Sequence, residues 1–260
     1  SDKLSDALRY PAMQTLIALI ASFLLMPLTQ AAAEKQTVLI VVTNHAEMPD
    51  GKPTGLWLAE ATHPWQKFVQ AGYDVHFASP KGGKSPIDPR STKAQDAINK
   101  QFLDDKVYQH ALENTKVLKD VDAKNYVAIF FAGGHGTMWD FPDAPGASEI
   151  AGKIYTNGGI ISAVCHGPAA LINLKLPDGS LLIKGKKVTG FTNAEEEKVG
   201  LTKSVPFLLE DSLKEQGATY SSGPDFQPHT VVSGRLVTGQ NPASAAPAAE
   251  AIIKLLKNHG

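Results

Sequence analysis

Short apolar runs without polar alternation recur along the chain, and they constrain its fold more than any other feature. The clearest are TVLIVVT (37–43), YDVHFAS (73–79), YVAIFFA (126–132) and GIISAVC (159–165), with shorter runs at 186–191 and 235–240. Such β-branched runs are typical of strands that are buried on both faces of a parallel sheet. The sequence therefore predicts a mostly parallel central sheet.

Stretches with helical character lie between these runs. They cover residues 57–71, 147–157, 204–216 and 243–257. Strands that alternate with helices form βαβ units, so the pattern predicts a doubly wound α/β fold. Residues 80–122 fit less well, because they open with KGGKSPIDPRS and continue as a polar helix. We predict that this segment is a small cap-like insertion over the site.

The charge balance and the cysteine count exclude several classes of partner and site. The chain has 260 residues, with 25 Lys and Arg against 26 Asp and Glu, so no basic excess exists to neutralise a nucleic acid backbone. Cys165 is the one cysteine, which excludes an internal disulfide and any zinc site that needs two thiolates. We predict no nucleic acid partner, no metal and no cofactor.

The N-terminal region has the outline of a signal peptide. An uncharged apolar run covers residues 16–28 and is followed by small residues at 31–33. The run is too short to span a bilayer comfortably, since that takes roughly 20 apolar residues. We interpret residues 1–33 as tag-derived or upstream residues plus a signal peptide, and residues 34–260 as the α/β domain. Cleavage would export the domain to the periplasm or medium without a stable membrane span. The alternative is an uncleaved N-terminal helix of a cytoplasmic protein.

The segment GGIISAVCHGPAALI predicts a nucleophile elbow at Cys165. A buried strand ends there and is followed by small residues and a helix that begins near Gly167 and Pro168. The turn places the thiol at the carboxyl end of a strand and at a helix N-terminus, whose dipole favours a thiolate. The amide of His166 would face the space beside the sulfur and could bind an oxyanion. The alternative is a buried structural cysteine.

A second motif, FFAGGHGTMWDFPD, follows another predicted central strand and should emerge at the same sheet edge. Gly133 and Gly134 can expose backbone amides at a tight turn, which is the usual second half of an oxyanion or substrate-binding site. His135 would contact the substrate or satisfy the polar groups of its own loop.

Two acidic positions complete the candidate site. Glu60, in TGLWLAEATHPW, lies on a predicted helix whose apolar neighbours suggest partial burial. A desolvated carboxyl has a raised pKa and could move a proton to and from the thiol, whereas a solvated helix glutamate could not. The run GFTNAEEEKVG supplies Glu195, Glu196 and Glu197. One of them could orient His166 as a triad acid does, although acidic runs are also common at solvated helix starts.

These segments, together with GRLVTGQNPASA, resemble the ThiJ/PfpI superfamily within the class I glutamine amidotransferase-like fold. The resemblance extends from Thr37 to the C-terminus. Within the superfamily, the sequence most resembles the branch of heat-shock chaperones and glutathione-independent glyoxalase III proteins. The resemblance implies a flavodoxin-like three-layer α/β/α sandwich that can form a homodimer.

The resemblance also implies roles for individual residues. Cys165 matches the family nucleophile, Glu60 the carboxylic acid beside it, and His166 the triad histidine. Glu196 best matches the triad acid, with a one-residue ambiguity toward Glu195 and Glu197. Gly134 and the His166 amide would form the oxyanion site. Glutamine amidotransferases of this fold have a separate histidine late in the chain, so glutamine hydrolysis is disfavoured.

We therefore predict a lyase that acts on small 2-oxoaldehydes. The Cys165 thiolate would attack the aldehyde of methylglyoxal, a proton would move through an enediol, and water would release D-lactate without glutathione or nicotinamide. One alternative is a stress holdase or a redox-responsive protein in which Glu60 stabilises an oxidised Cys165 sulfinic acid. Another is an amidase or peptidase that uses the same nucleophile. Because methylglyoxal arises mainly in the cytosol, an exported member could act on a different electrophile.

Overall fold

The computed structural model describes residues 35–259, so the predicted leader lies outside the described residues. None of the helices within this range combines the length and the apolar character that crossing a bilayer requires. The strands are β1 (Thr37–Val41), β2 (Asp74–Ser79), β3 (Lys116–Val117), β4 (Tyr126–Phe131), β5 (Ile160–Val164), β6 (Lys187–Val188), β7 (Thr219–Tyr220), β8 (Thr230–Ser233) and β9 (Leu236–Gly239). The α-helices are α1 (Ala59–Gln70), α2 (Ala97–Asp104), α3 (Lys106–Glu113), α4 (Thr137–Asp140), α5 (Ala147–Thr156), α6 (Asn193–Lys198), α7 (Leu209–Glu215) and α8 (Ala245–His259).

Seven strands form the central sheet in the order β3-β2-β1-β4-β5-β9-β8. All neighbours pair in parallel except β8 and β9, which form an antiparallel hairpin. The inner order β2-β1-β4-β5-β9 is the doubly wound order of flavodoxin-like proteins, in which ligands bind beyond the carboxyl ends of the strands. The expectation of a mostly parallel, flavodoxin-like sheet is confirmed.

The sheet is buried on both faces because its strands alternate apolar side chains between two cores. On β1, Leu39 and Val41 face the core that contains α5 and α7, while Val38 and Ile40 face the core that contains α1 and α8. Side chains of a strand point to opposite faces with a period of two. The continuous apolar runs of the sequence therefore produce the three-layer sandwich.

Parts of the segment 80–122 join the layers of the sandwich, and its role as a cap over the site stays a prediction. Phe102 and Leu112, from α2 and α3, pack in the same core as Trp65 of α1. The edge strand β3 extends the sheet by pairing with β2. Within this segment, Arg90 comes close to the residues at the strand ends, as the hydrogen bonds below show.

Three predicted elements differ from the observed ones. The helix expected at 204–216 begins only at Leu209, and Pro206 disfavours the helical conformation at the residue before it. The run at 186–191 gives the short strand β6, which pairs with β7 in a separate two-stranded sheet. The helix expected after Cys165 is a five-residue 3-10 helix, Gly167–Leu171.

Candidate active site

Cys165 occupies a strained turn directly after β5. Its φ of 57° lies in the left-handed region that side chains other than glycine rarely adopt. The conformation is held by backbone bonds on both sides, from Cys165 N to Gly239 O at 2.9 Å and from Phe191 N to Cys165 O at 2.8 Å. A Cβ on Gly167 would overlap the Phe131 carbonyl oxygen. The turn thus has the geometry of a nucleophile elbow, and it leaves the Cys165 residue 3% exposed.

The surroundings of the Cys165 thiol favour its protonated form. Burial raises the pKa of the thiol well above its ordinary value, and the Glu60 carboxyl beside it raises this pKa further once it is ionised. The sequence led us to expect a thiolate stabilised by a helix dipole, but the 3-10 helix that follows is too short to provide much of one. The thiol must therefore lose its proton as it attacks.

Glu60 is a fully buried carboxyl in the first turn of α1. Its Oε2 accepts a hydrogen bond from the Gly133 amide at 2.9 Å, and the Cys165 thiol lies beside the carboxyl. Burial raises the pKa of Glu60 to about 8, against which the hydrogen bonds with Cys165 and Gly133 act only partly. The carboxyl therefore holds its proton at neutral pH and can release it with little change in conditions.

His166 and Glu196 lie on the other side of the thiol. His166 Nδ1 is 3.4 Å from Cys165 Sγ, and its Nε2 is 2.6 Å from Glu196 Oε2. Burial favours the neutral form of Glu196, but the hydrogen bonds from the two histidines, and the positive charge that these rings carry when protonated, outweigh burial and hold the pKa of Glu196 well below its ordinary range. An ionised carboxylate only accepts hydrogen bonds, so His166 Nε2 donates to Glu196, and the other ring nitrogen, Nδ1, faces the thiol.

The other two glutamates of the acidic run do not contact His166. Glu195 forms a capping box with Thr192, and its Oε1 also accepts from the Phe226 amide and the Asn241 side chain. Glu197 is exposed. Glu196 is thus the member that reaches the histidine, as the family resemblance implied.

The glycine motif after β4 holds the site together. The Gly133 amide is committed to Glu60 rather than free for an oxyanion. A Cβ on Gly133 would lie 2.6 Å from Glu60 Oε2 and 2.8 Å from His166 N, so only glycine permits this packing. Gly134 has a φ of 106° and donates no amide hydrogen bond to any described residue. The Gly134 amide is thus left for a substrate oxygen, whereas the His166 amide faces the Cys165 sulfur.

The His135 side chain forms its hydrogen bonds with other residues of the site rather than with its own loop. Its Nε2 donates to Glu196 Oε1 at 2.8 Å, and its ring lies 4.1 Å from that of His166. Burial, together with the positive charges of Arg90 and of a protonated His166, lowers the pKa of His135 to about 4, and the Glu196 carboxylate offsets this only in part. His135 is therefore neutral at physiological pH.

Our sequence analysis missed Asp88 and Arg90, which approach the site from segment 80–122. Arg90 Nη2 is 3.2 Å from His135 Nδ1 and pairs with Asp88 Oδ2 at 2.5 Å. The Asp-Pro pattern in IDPRS signals the start of a helical turn, but nothing local indicates that this turn touches His135.

One group of described side chains could hold a metal ion. Ligand atoms of His135, His166 and Glu196 lie within 4.8 Å of one another. In the arrangement observed, both Nε2 atoms donate hydrogen bonds to the carboxylate, so a cation would have to displace two protons. The hydrogen-bonded arrangement is the one that supplies a proton acceptor to Cys165.

The sequence matches a known protein family along most of its length. The sequence model of the DJ-1/PfpI family matches residues 54–255. Glyoxalase 3 of Candida albicans is 38% identical over 231 residues, which cover 83% of this chain and 96% of the relative. The glutathione-independent glyoxalase HSP31 of Saccharomyces cerevisiae is 38% identical over 235 residues, which cover 85% of this chain and 98% of the relative.

A solved structure supports the same relationship. The Rapid Encystment Protein 24 KDa of Francisella tularensis superposes with a TM-score of 0.83 at 45% identity. The superposition covers 85% of this chain and 99% of that protein. The similarity thus includes the fold as well as the sequence motifs.

Proposed function

This chain belongs to the DJ-1/PfpI family, and we propose that it is a glutathione-independent glyoxalase that converts methylglyoxal or a similar 2-oxoaldehyde to a 2-hydroxy acid. The relatives named glyoxalase are 38% identical over more than four fifths of the chain, which supports this activity. The observation that carries the proposal is Glu60, a buried carboxyl with a pKa of about 8 beside the thiol. A group that holds and releases a proton near neutral pH suits an isomerisation through an enediol.

The first step forms a bond between the thiol sulfur and the aldehyde carbon. His166 Nδ1, 3.4 Å from Sγ, accepts the thiol proton as the bond forms, and Glu196 stabilises the resulting imidazolium. The carbonyl oxygen takes up the negative charge and would accept hydrogen bonds from the Gly134 amide and from the His166 amide beside the sulfur. Protonation of that oxygen gives a hemithioacetal.

The second step is an internal redox reaction, so it needs no external oxidant or reductant. A base removes the hydrogen from the former aldehyde carbon, and the neighbouring ketone oxygen takes up a proton, which gives the enediol. Protonation of the former ketone carbon, with loss of the hydroxyl proton from the first carbon, leaves the ketone carbon reduced to an alcohol and the first carbon oxidised to a thioester. Glu60 and His166 are the groups placed to move these protons, and water then releases the hydroxy acid and the thiol.

The exposure of the site favours a small electrophile over a peptide. Cys165 is 3% exposed, and the triad residues His166 and Glu196 are also buried. An amidase or peptidase would need a wider opening to the thiol, because a peptide substrate is larger than a small aldehyde. The holdase and redox-sensor hypotheses stay predictions; client protection that survives Cys165→Ala would support the former.

The proposal is tested by incubating the full chain with methylglyoxal in the absence of glutathione and measuring D-lactate enzymatically. D-lactate is the readout because methylglyoxal also disappears by reaction with lysine and arginine side chains. We expect many turnovers for the wild type, the protein-free rate for Cys165→Ala, and wild-type activity for the exposed control Glu197→Gln. No D-lactate above the protein-free rate, or an undiminished rate in Cys165→Ala, would overturn the proposal.

A further inference from the structure

Asp88 and Arg90 form an ion pair next to the site, and several hydrogen bonds between them hold it in a fixed position. Asp88 is fully buried, and its Oδ1 accepts from both the backbone amide and the Nε of Arg90 at 2.9 Å. Its Oδ2 accepts from Arg90 Nη2 at 2.5 Å and from Thr54 Oγ1 at 3.2 Å. A guanidinium that is bonded at several atoms to a buried carboxylate has little freedom to rotate.

The Arg90 guanidinium sets the position of the proton on His135. Arginine can only donate, so His135 Nδ1, at 3.2 Å from Nη2, must accept with its lone pair. The ring proton then resides on Nε2, which points at Glu196 Oε1 at 2.8 Å. The charged groups that face this ring are Arg90, Glu196 and His166. Arg90, on one side of the His135 ring, thus selects the tautomer that donates to the Glu196 carboxylate on the other side.

Each oxygen of the Glu196 carboxylate consequently receives one imidazole N–H. Oε1 takes the hydrogen of His135, and Oε2 takes that of His166 at 2.6 Å. If His135 carried its hydrogen on Nδ1, its Nε2 lone pair would face Oε1 and repel it. The carboxylate would turn away, and His166 would lose the partner that keeps its Nδ1 free for the Cys165 thiol.

We propose that Arg90 is a positioning residue of this site, which acts through His135 to hold the Glu196 carboxylate in place for His166. The hydrogen-bonded chain runs from Asp88 through Arg90, His135, Glu196 and His166 to Cys165. Because Asp88 already neutralises Arg90, the guanidinium serves as a fixed donor more than as an anion site. The inference rests on the same site as the proposed function, but it concerns the resting protein and holds for any electrophile that Cys165 attacks.

The first test needs no substitution. Imidazole nitrogen shifts of the full chain labelled with 15N-histidine, measured at neutral pH, report which ring nitrogen of His135 carries the hydrogen. His135→Asn identifies the signals. We expect a neutral His135 with hydrogen on Nε2 and a bare Nδ1. A ring that is protonated on Nδ1 would overturn the inference.

The second test uses alkylation of Cys165 by iodoacetamide, which requires no turnover and reports one thiol because the chain has one cysteine. Arg90→Met removes the donor, Arg90→Lys keeps a donor, and Lys93→Gln changes an exposed charge just after the same 3-10 turn. We expect Arg90→Met to slow alkylation about 10- to 100-fold and to lower kcat more than it raises KM. A misplacement of about 1 Å at a reacting group can cost about 100-fold in rate. Lysine should restore part of the rate, and Lys93→Gln should match the wild type.

Two controls separate the possible failures. Arg90→Met leaves Asp88 buried without its partner, so its folding is checked by circular dichroism, and the tautomer measurement on the wild type stands independently of it. A folded Arg90→Met protein with unchanged alkylation and an unchanged His135 tautomer would overturn the inference. A wild type that forms no D-lactate but shows the expected tautomer and alkylation pattern would contradict only the proposed function.

Discussion

Glu196 differs from its two acidic neighbours in what its carboxylate contacts. Successive residues of a helix point in directions about 100° apart, so three adjacent glutamates face three different environments. Glu195 faces the cap and the Phe226 amide, Glu197 faces solvent, and Glu196 faces two histidines. The sequence contains the same side chain three times, and only its position on the helix gives one copy a chemical role.

This difference predicts contrasting effects of Glu196→Gln and Glu197→Gln. A glutamine at 196 cannot accept two imidazole hydrogens, because its amide nitrogen is a donor that faces another donor. We expect kcat for D-lactate formation to fall by about 10²- to 10⁴-fold, the usual contribution of an acid–base group. Glu197→Gln serves as the matched control and should retain wild-type kcat. Equal losses in both variants, or no loss in Glu196→Gln, would contradict the assignment of Glu196.

At the scale of the element, the link from β5 to the 3-10 helix determines where the nucleophile sits. The sequence predicted the strand, the tight turn and the need for Gly167, because apolar runs and glycines are local signals. It did not reveal that the helix after the turn is a short 3-10 segment, nor that the thiol pKa is raised. The raised thiol pKa depends on burial and on Glu60, which lies more than 100 residues away in the sequence, so local signals do not carry it.

The elbow predicts a high cost for Gly167→Ala. The added methyl group would overlap the Phe131 carbonyl oxygen of the neighbouring strand, which has no freedom to move. We expect the free energy of unfolding to fall by the upper end of the about 1–3 kcal/mol that overpacking costs, together with slower Cys165 alkylation.

The matched control for this prediction is Gly152→Ala, inside α5. Its new methyl group would lie 3.3 Å from the Pro177 ring and 3.5 Å from the Lys175 carbonyl oxygen, and alanine favours the helix. Urea denaturation compares the two variants. A Gly167→Ala protein as stable as Gly152→Ala would show that the turn tolerates a side chain, contrary to the geometry.

At the scale of the whole molecule, the buried site makes folding stability depend on pH. The folded protein binds the Glu60 proton up to a pH of about 8, whereas an unfolded chain releases it near 4.5. The stabilisation that comes from holding this proton is therefore fully present at low pH and is lost as the pH rises toward 8. His135 acts in the opposite sense, since its folded pKa of about 4 lies below its ordinary value of 6.5 and costs stability as the pH falls through that range.

Between pH 6.5 and 8 the Glu60 effect acts without the His135 effect. We expect the free energy of unfolding of the wild type to fall across this window, with a slope of at most about 1.4 kcal/mol per pH unit for one proton. Glu60→Gln still accepts from Gly133 but has no proton to lose, so its profile should be flatter. Urea denaturation at three pH values measures both slopes. Parallel profiles would mean that Glu60 does not hold a proton at neutral pH.

The sequence alone determined the parallel sheet, the layers on both of its faces and the place of Cys165 at the end of β5, because strand periodicity and turn residues are local properties. The leader at 1–33 and the homodimer remain predictions from the sequence. Only the tertiary structure decided which glutamate meets His166, why the thiol is protonated, and that Asp88 and Arg90 join the site. These depend on burial and on contacts between segments that are tens of residues apart, where side chains meet only after the sheet has formed.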